Sequence, residues 1–487
     1  MVWADLSVII LYLILLLIIG GIVSKKVKTH EDSVVGGRSF GAFFAAVGKA
    51  ANLAGGPSTV GGAGYGYTYG VSGSWFAIAN VISTTVWSPF TPRFWRAMSR
   101  GGFTSIGDYL GYRYGKFARI FAGLLNSLAY MGFVAAQIIA TGTILAVLLG
   151  WNPKVAMLVT TLIVIIYTIL GGLKAVVYTD LLQLGILYVG LVLILPALAV
   201  GKAGGMEQLF AALPEAFQQI GAMGWPRIIG VIVAPTILMP FAMQASYIYT
   251  ASCKSSKAAW QSNLLTGVFY GLPALCSVFV GLAAFVLFPG LASAQDAMPT
   301  VIIEFLPHGA IGLMIAAILS ATMSTSSTCL LCSTNCFITD VMNAVSTKTR
   351  TGEEQLKVTR IGIGVIGLLT LCITLFYSDI IAIITLGYAM GVGGLLAPAM
   401  GAMFWKRATT AGCVTAMIVG GGSYLVIQLG QLATWPPLFF SFPVSLLLLI
   451  VVSLFTKPSN PLMYDVYFED EWAKSPNNPE NASNVTA

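Results

Sequence analysis

Residues 320–328 read Ser-Ala-Thr-Met-Ser-Thr-Ser-Ser-Thr, a run of small and hydroxylated side chains broken only by Met323. Ala321, Ser324, Thr325 and Thr328 are spaced i, i+3, i+4 and i+7, which puts them on one face of a helix. Hydroxyls in an apolar helix usually bond their own backbone or a neighbouring helix, but so dense a run exceeds what packing needs. Hard cations take oxygen ligands, so this face could complete a cation shell begun elsewhere. A source of further oxygens lies at Gly41–Gly70, an apolar stretch with nine glycines and a Gly55-Gly56-Pro57 break at its middle. Glycine and proline weaken or end a helix there, and an unwound turn offers bare carbonyls to a cation and half-helix ends to a solute.

The elements that must position these groups are membrane helices. With 57% hydrophobic and 9% charged residues, against about 25% charged in soluble domains, and a mean hydropathy of +0.85, the chain reads as an all-α polytopic membrane protein. Apolar stretches of bilayer-spanning length predict about thirteen transmembrane helices, at roughly 5–24, 41–70, 72–92, 118–149, 155–172, 178–200, 227–249, 262–290, 309–343, 359–377, 380–404, 411–430 and 437–456. With the N-terminus outside and the C-terminus cytoplasmic, 21 of the 25 basic residues fall in inside segments, as cytoplasmic loops require. The net charge of +7 is then explained by orientation in a lipid bilayer, and a nucleic-acid partner is not needed.

Met1 to Gly21 has no basic n-region, so a retained first helix is expected rather than a cleaved signal. That helix has no internal breaker and reads as accessory. Cys329, Cys332 and Cys336 have a metal-like spacing but lie inside a span and read as packing residues. The sequons at Asn481 and Asn484 fall in the cytoplasmic tail 457–487, whose Pro, Asn and acidic content predicts disorder.

Asp180 follows the turn Gly171-Gly172-Leu173-Lys174 and is expected in the first turns of the next helix. Capping and an intramembrane ion site both fit it. Pro235 and Pro240 divide a second span, 227–249, which enters from the opposite side to the glycine-broken one. Two sets of five spans in opposite orientation, each opening on a disrupted helix, form the pattern of an inverted-repeat transporter with a midplane site. The divisions that follow are 1–40, an accessory helix and loop; 41–200 and 227–404, the repeats; 201–226, an extracytoplasmic loop; 405–456, two last helices; and 457–487, the tail.

At the Gly37-Arg38-Ser39-Phe40-Gly41 entry, the GGLKAVVYTDLLQ turn and the SATMSTSS helix, the chain resembles the sodium/solute symporter family, whose members carry proline, pantothenate, sugars, sialic acid, monocarboxylates or choline. The resemblance implies a LeuT-type 5+5 inverted repeat in a cell membrane and sodium (Na+) as coupling ion. By position it implies a main sodium site from the carbonyls of Ala51, Ala54 and Ala321 and the hydroxyls of Ser324 and Thr325. A second sodium would join Asp180 with Ser327 and Thr328. One departure is Ile248-Tyr249, where many members have a Gln-Arg pair.

Another unusual residue is Lys49, a cation about 12 Å into its span. It differs from Ala51 by about 200° around the helix, so it should point away from the ion seam and either snorkel or make a structural contact. Tyr65, Tyr67 and Tyr69 are expected as interfacial belt residues. For solute contacts the candidates are Ser58, Thr59, Gln137 and Gln244. The reading is a sodium-coupled symporter of a small polar organic solute, such as a carboxylate, amino acid or vitamin, working by alternating access and functional as a monomer. Its rivals are a proton-coupled or sodium-independent transporter switched by Lys49 or Asp180, and a transporter-like sensor; no constellation points to an enzyme.

Overall fold

The computed structural model describes residues 3–346, 350–376, 389–433 and 435–481. Within them eight helices are long and apolar enough to cross a membrane, and one further pair, Trp225–Phe241 with Gln244–Ala251, is bent by 47°. One of the eight, Pro153–Lys202, takes in both expected spans 155–172 and 178–200. They meet without a loop at Gly172, whose φ of 52° and ψ of −149° leave helical geometry; a Cβ there would run into the backbone of Ser33. The expected span 41–70 is two shorter helices, and 72–92 is a 13-residue helix with 3-10 turns at both ends. The expected span 380–404 lies partly outside the described residues; its described part ends in the helix Gly394–Phe404.

The helices used below are α1 (Trp3–Ser24), α2 (Ala42–Leu53), α3 (Val60–Tyr69), α4 (Trp75–Trp87), α5 (Lys116–Leu149), α6 (Pro153–Tyr188), α7 (Gln244–Ala251), α8 (Ser256–Leu287) and α9 (Ala310–Asn335). Helix α9 is the axis of the fold: every residue from Met314 to Asn335 is buried. It packs on α5 and α6, and on α2 at the level of the hydroxyl run. Its lack of charge makes this burial cheap, and its small side chains let neighbouring backbones approach.

Helix α3 shows the same principle at shorter range. Its glycines let it lie directly on α8, where a Cβ on Gly281 would overlap the carbonyl of Ala63 and come 2.9 Å from the amide nitrogen of Tyr67. The second half of the broken span is therefore held backbone to backbone.

Helix α1 is less peripheral than its sequence implies. Asp5 is buried and accepts the amides of Gly309 (2.6 Å) and Gly312 (3.1 Å) at the start of α9. Farther along, Tyr12 accepts a hydrogen bond from Gln183 on α6 at 3.0 Å.

The tail departs from the expected disorder through its described part, up to Asn481. Val466, Tyr467 and Phe468 are buried, and Tyr112 donates to Asp465 at 2.7 Å. Glu469 pairs with Arg96 and Arg100, both at 2.5 Å, and Lys406 pairs with Glu471 at 2.8 Å and with Asp470. A polar composition hid three apolar anchors that find a partner only once the helices at Thr91–Arg100 and Ile106–Tyr114 are folded. The hydrogen bond from Lys406 holds the Asp470 carboxyl below the usual carboxylate range.

Two outcomes follow for the purified protein. Gly281→Ala should lower the melting temperature by the equivalent of about 1–3 kcal/mol, the cost of overpacking, whereas Gly185→Ala, with open space around it, should not. Because the folded-state pKa of Asp470 is depressed, the contribution of its pair with Lys406 is fully present above its ordinary value near 3.8 and is lost as pH falls through the lowered value. Limited proteolysis should therefore leave the tail intact at neutral pH and low salt, and cut it earlier at high salt, where surface pairs are screened.

Candidate functional site

The Gly55-Gly56-Pro57 run ends α2 at Leu53, and the chain resumes helical geometry at Val60. Between them Ala54 (φ −79°, ψ 36°) and Thr59 (φ −98°, ψ −87°) turn the backbone. A break at this depth needs its backbone groups satisfied from within the protein. Gln137 on α5 accepts the amide of Gly56 at 3.0 Å. Ser58 donates to the carbonyls of Leu53 (3.1 Å) and Gly55 (3.0 Å), and Thr59 donates to Gly55 at 3.1 Å.

The hydroxyl face of α9 meets the end of α2. Ser324 Oγ lies 3.0 Å from the carbonyl oxygens of both Ala51 and Ala321. Thr325 Oγ1 lies 3.0 Å from the carbonyl of Asn52 and 3.1 Å from that of Ala321. Four of the five residues expected at the ion seam are thus brought together. The carbonyl that Thr325 meets on α2 is that of Asn52. Asn52 was not singled out in the sequence; as a residue that contributes through its backbone, it gives no side-chain signal.

Asp180 stands eight residues beyond Gly172, well inside α6, and is completely buried. The capping reading therefore does not apply, because the helix begins two turns earlier. Neither carboxylate oxygen has a hydrogen-bond partner among the described residues, and a buried carboxylate in apolar surroundings needs a cation or a proton. Of the residues expected with it, Ser327 donates to the carbonyl of Ser324 at 2.9 Å, and the Thr328 hydroxyl lies 2.9 Å from the Tyr249 hydroxyl. Tyr249, half of the Ile248-Tyr249 departure, thus occupies a hydrogen-bonding position on the α9 face.

Beside the break is a cavity of about 320 Å³. Asn52, Gln137 and Thr325 reach it from the break, and Phe76, Trp87 and Tyr130 form part of its wall. A second cavity of about 670 Å³, lined by Arg227 and Trp435 among others, adjoins it through the shared residues Tyr65, Phe76 and Thr236. Of the four expected solute contacts only Gln137 lines the first cavity. Ser58 and Thr59 turn back onto the break, whose bare carbonyls claim their hydroxyls. Gln244 is buried away from it, accepting the amide of Ile106 (2.7 Å) and donating to the carbonyl of Thr104 (3.0 Å).

The tyrosines at the end of α3 also differ from a simple belt. Tyr65 lies between the two cavities, Tyr67 donates to the carbonyl of Phe288 at 3.0 Å, and Tyr69 accepts from Arg227 at 2.7 Å. Lys49 does not snorkel: it is 8% exposed and donates to Asn263 on α8.

Residues 34–420 match the sequence model of the Sodium:solute symporter family. The Sodium/pantothenate symporter of Haemophilus influenzae is 27% identical over 424 residues, covering 81% of this chain and 84% of the relative. The Sodium/sialic acid symporter SiaT of Proteus mirabilis is 28% identical over 451 residues, covering 86% and 88%. Among solved structures, the substrate-bound outward-open state of a Na+-coupled sialic acid symporter matches with a TM-score of 0.84 at 23% identity, over 94% of this chain and 99% of that one. A closed nucleobase-cation-symport-1 family transporter matches at 0.60 and 14% identity, over 89% and 97%. These structural likenesses are of fold, and the fold is the all-helical LeuT type. The family match over most of the chain and the fold agree: this chain belongs to the sodium:solute symporter family.

Proposed function

We propose that the protein couples sodium entry to uptake of a small solute, with the ion seated between the end of α2 and the hydroxyl face of α9. Sodium-coupled symport by alternating access is the activity of the family. The observation that carries the site is the meeting of Ser324 with the carbonyls of Ala51 and Ala321, both at 3.0 Å, with Thr325 beside it. The hydroxyls donate to the same carbonyls that a sodium would take. The ion would then link a broken helix to an unbroken one, holding the outward-open form and preparing the adjoining cavity for solute. Moving one charge through 100 mV supplies about 2.3 kcal/mol toward uptake.

Ala54 completes this ligand set on the strength of the family resemblance. Asp180, with Ser327 and Thr328, is proposed as a second sodium site, a role that suits a buried carboxylate with no hydrogen-bond partner among the described residues. Gln137 is proposed as a solute contact, since it lines the cavity while fixing the break. The two repeats at 41–200 and 227–404, a cell-membrane location with the N-terminus outside and the C-terminus cytoplasmic, contact with bilayer lipid, a monomeric functional unit and the absence of enzymatic activity are part of the same reading.

Uptake into proteoliposomes tests it. Ser324→Ala or Thr325→Ala should raise the half-saturating sodium concentration about tenfold or more, some 1.4 kcal/mol for a lost ligand; unchanged sodium dependence in both would remove them from the site. Asp180→Asn should flatten a sigmoidal sodium curve toward a hyperbola if two ions bind. Gln137→Ala should weaken solute binding. In contrast, Gln244→Ala should lower thermal stability by about 1–3 kcal/mol through its unsatisfied partners.

A further inference from the structure

We infer that the carried solute is a small organic anion with an apolar body, and that Lys49 recognises its carboxylate; this rests on the symport reading and the cavity proposed above. Among the described residues lining the 320 Å³ cavity, Lys49 carries the only formal charge, and no carboxylate joins it there. Its ammonium donates to the side-chain oxygen of Asn263, whose amide nitrogen donates to Thr91 Oγ1 at 2.5 Å. Both partners are neutral. A lysine ammonium has three donors, so this contact anchors the charge without compensating it, and two donors remain for a ligand.

A buried cation facing only neutral groups is costly, and an anion entering the cavity removes that cost. A cationic amine would meet repulsion with nothing to neutralise it. A neutral solute would leave the charge as it stands. The other walls indicate the rest of the molecule: Phe76, Trp87, Tyr130, Phe133, Met239 and Met243 offer aromatic and thioether surface to an apolar body. The volume is at the low end for small-molecule sites, which fits a compact acid.

The Lys49 ammonium bonds outside the ion seam. Lys49 reaches α8, whereas Ala51 meets α9. Solute charge and sodium binding are therefore separable by mutation.

The test is thermal stability of the purified full-length protein in sodium and in potassium, with size-matched probes: phenylacetate, phenylacetamide and phenethylamine, then 3-methylbutanoate and 3-methylbutanamide. A ligand of the folded state raises the melting temperature by mass action. The acids should stabilise in sodium while the amides and the amine do not. In Lys49→Gln the apparent affinity for acids should fall at least about tenfold while stabilisation by sodium alone persists; Lys49→Arg should recover part of the loss.

Equal stabilisation by acid and amide, silence from every acid, or unaltered acid binding in Lys49→Gln would overturn the inference. Should that variant fail to fold, the acid and amide comparison in the unmutated protein decides alone. A wild-type protein stabilised by acids but indifferent to sodium would instead count against the symport reading.

Discussion

An unwound turn in hydrocarbon survives only if the protein supplies every hydrogen bond that the helix has given up. The rest of this structure is arranged around that demand at Ala54–Thr59. Gln137 comes from α5 to take the Gly56 amide, Ser58 and Thr59 fold back to the carbonyls of Leu53 and Gly55, and Ser324 and Thr325 come from α9 to those of Ala51 and Asn52. The break is stabilised by the groups that make it useful. Carbonyls held by hydroxyls can exchange those partners for a cation at little reorganisation.

Two kinds of packing hold these groups in place. Around α9 the contacts are between small side chains and need no charge, which is why a helix buried over 22 consecutive residues from Met314 to Asn335 can be so rich in hydroxyls. Along α3 the contact is backbone against backbone, with Gly281 lying on Ala63. The second is the stiffer arrangement. It ties the second half of the broken span to α8, the helix that also carries Asn263 and through it Lys49.

Charges in the interior are then few and individually placed. Asp5 satisfies amides at the start of α9, and Lys49 is anchored through Asn263 to Thr91. Asp180 is buried with neither oxygen hydrogen-bonded among the described residues. A compensated charge serves structure. One held by neutral groups alone, or by none, is poised for a mobile partner of opposite sign. The roles proposed above for Lys49, which lines an aromatic cavity, and for the buried Asp180 follow from that description.

The sequence by itself determined the membrane class, the place of the break and the hydroxyl face, because each rests on local composition: glycine and proline end helices wherever they stand, and i, i+3, i+4 spacing defines a face without a neighbour. Family membership was legible for the same reason, in three short motifs. What only the tertiary structure decided was which polar groups face one another. Ser58, Thr59 and Gln244 looked as available to a solute as Gln137, yet their hydrogen bonds are taken by the break and by the helix at Ile106. Asn52 enters through a carbonyl that every residue possesses, so no side chain announced it. Asp180 passed from a helix start to a buried interior because the turn before it is a single residue, Gly172, and the described part of the tail gained order because Val466, Tyr467 and Phe468 find their partners only on the assembled helices. Local physics is written residue by residue, whereas the assignment of a polar group to protein or to ligand depends on distances across the fold.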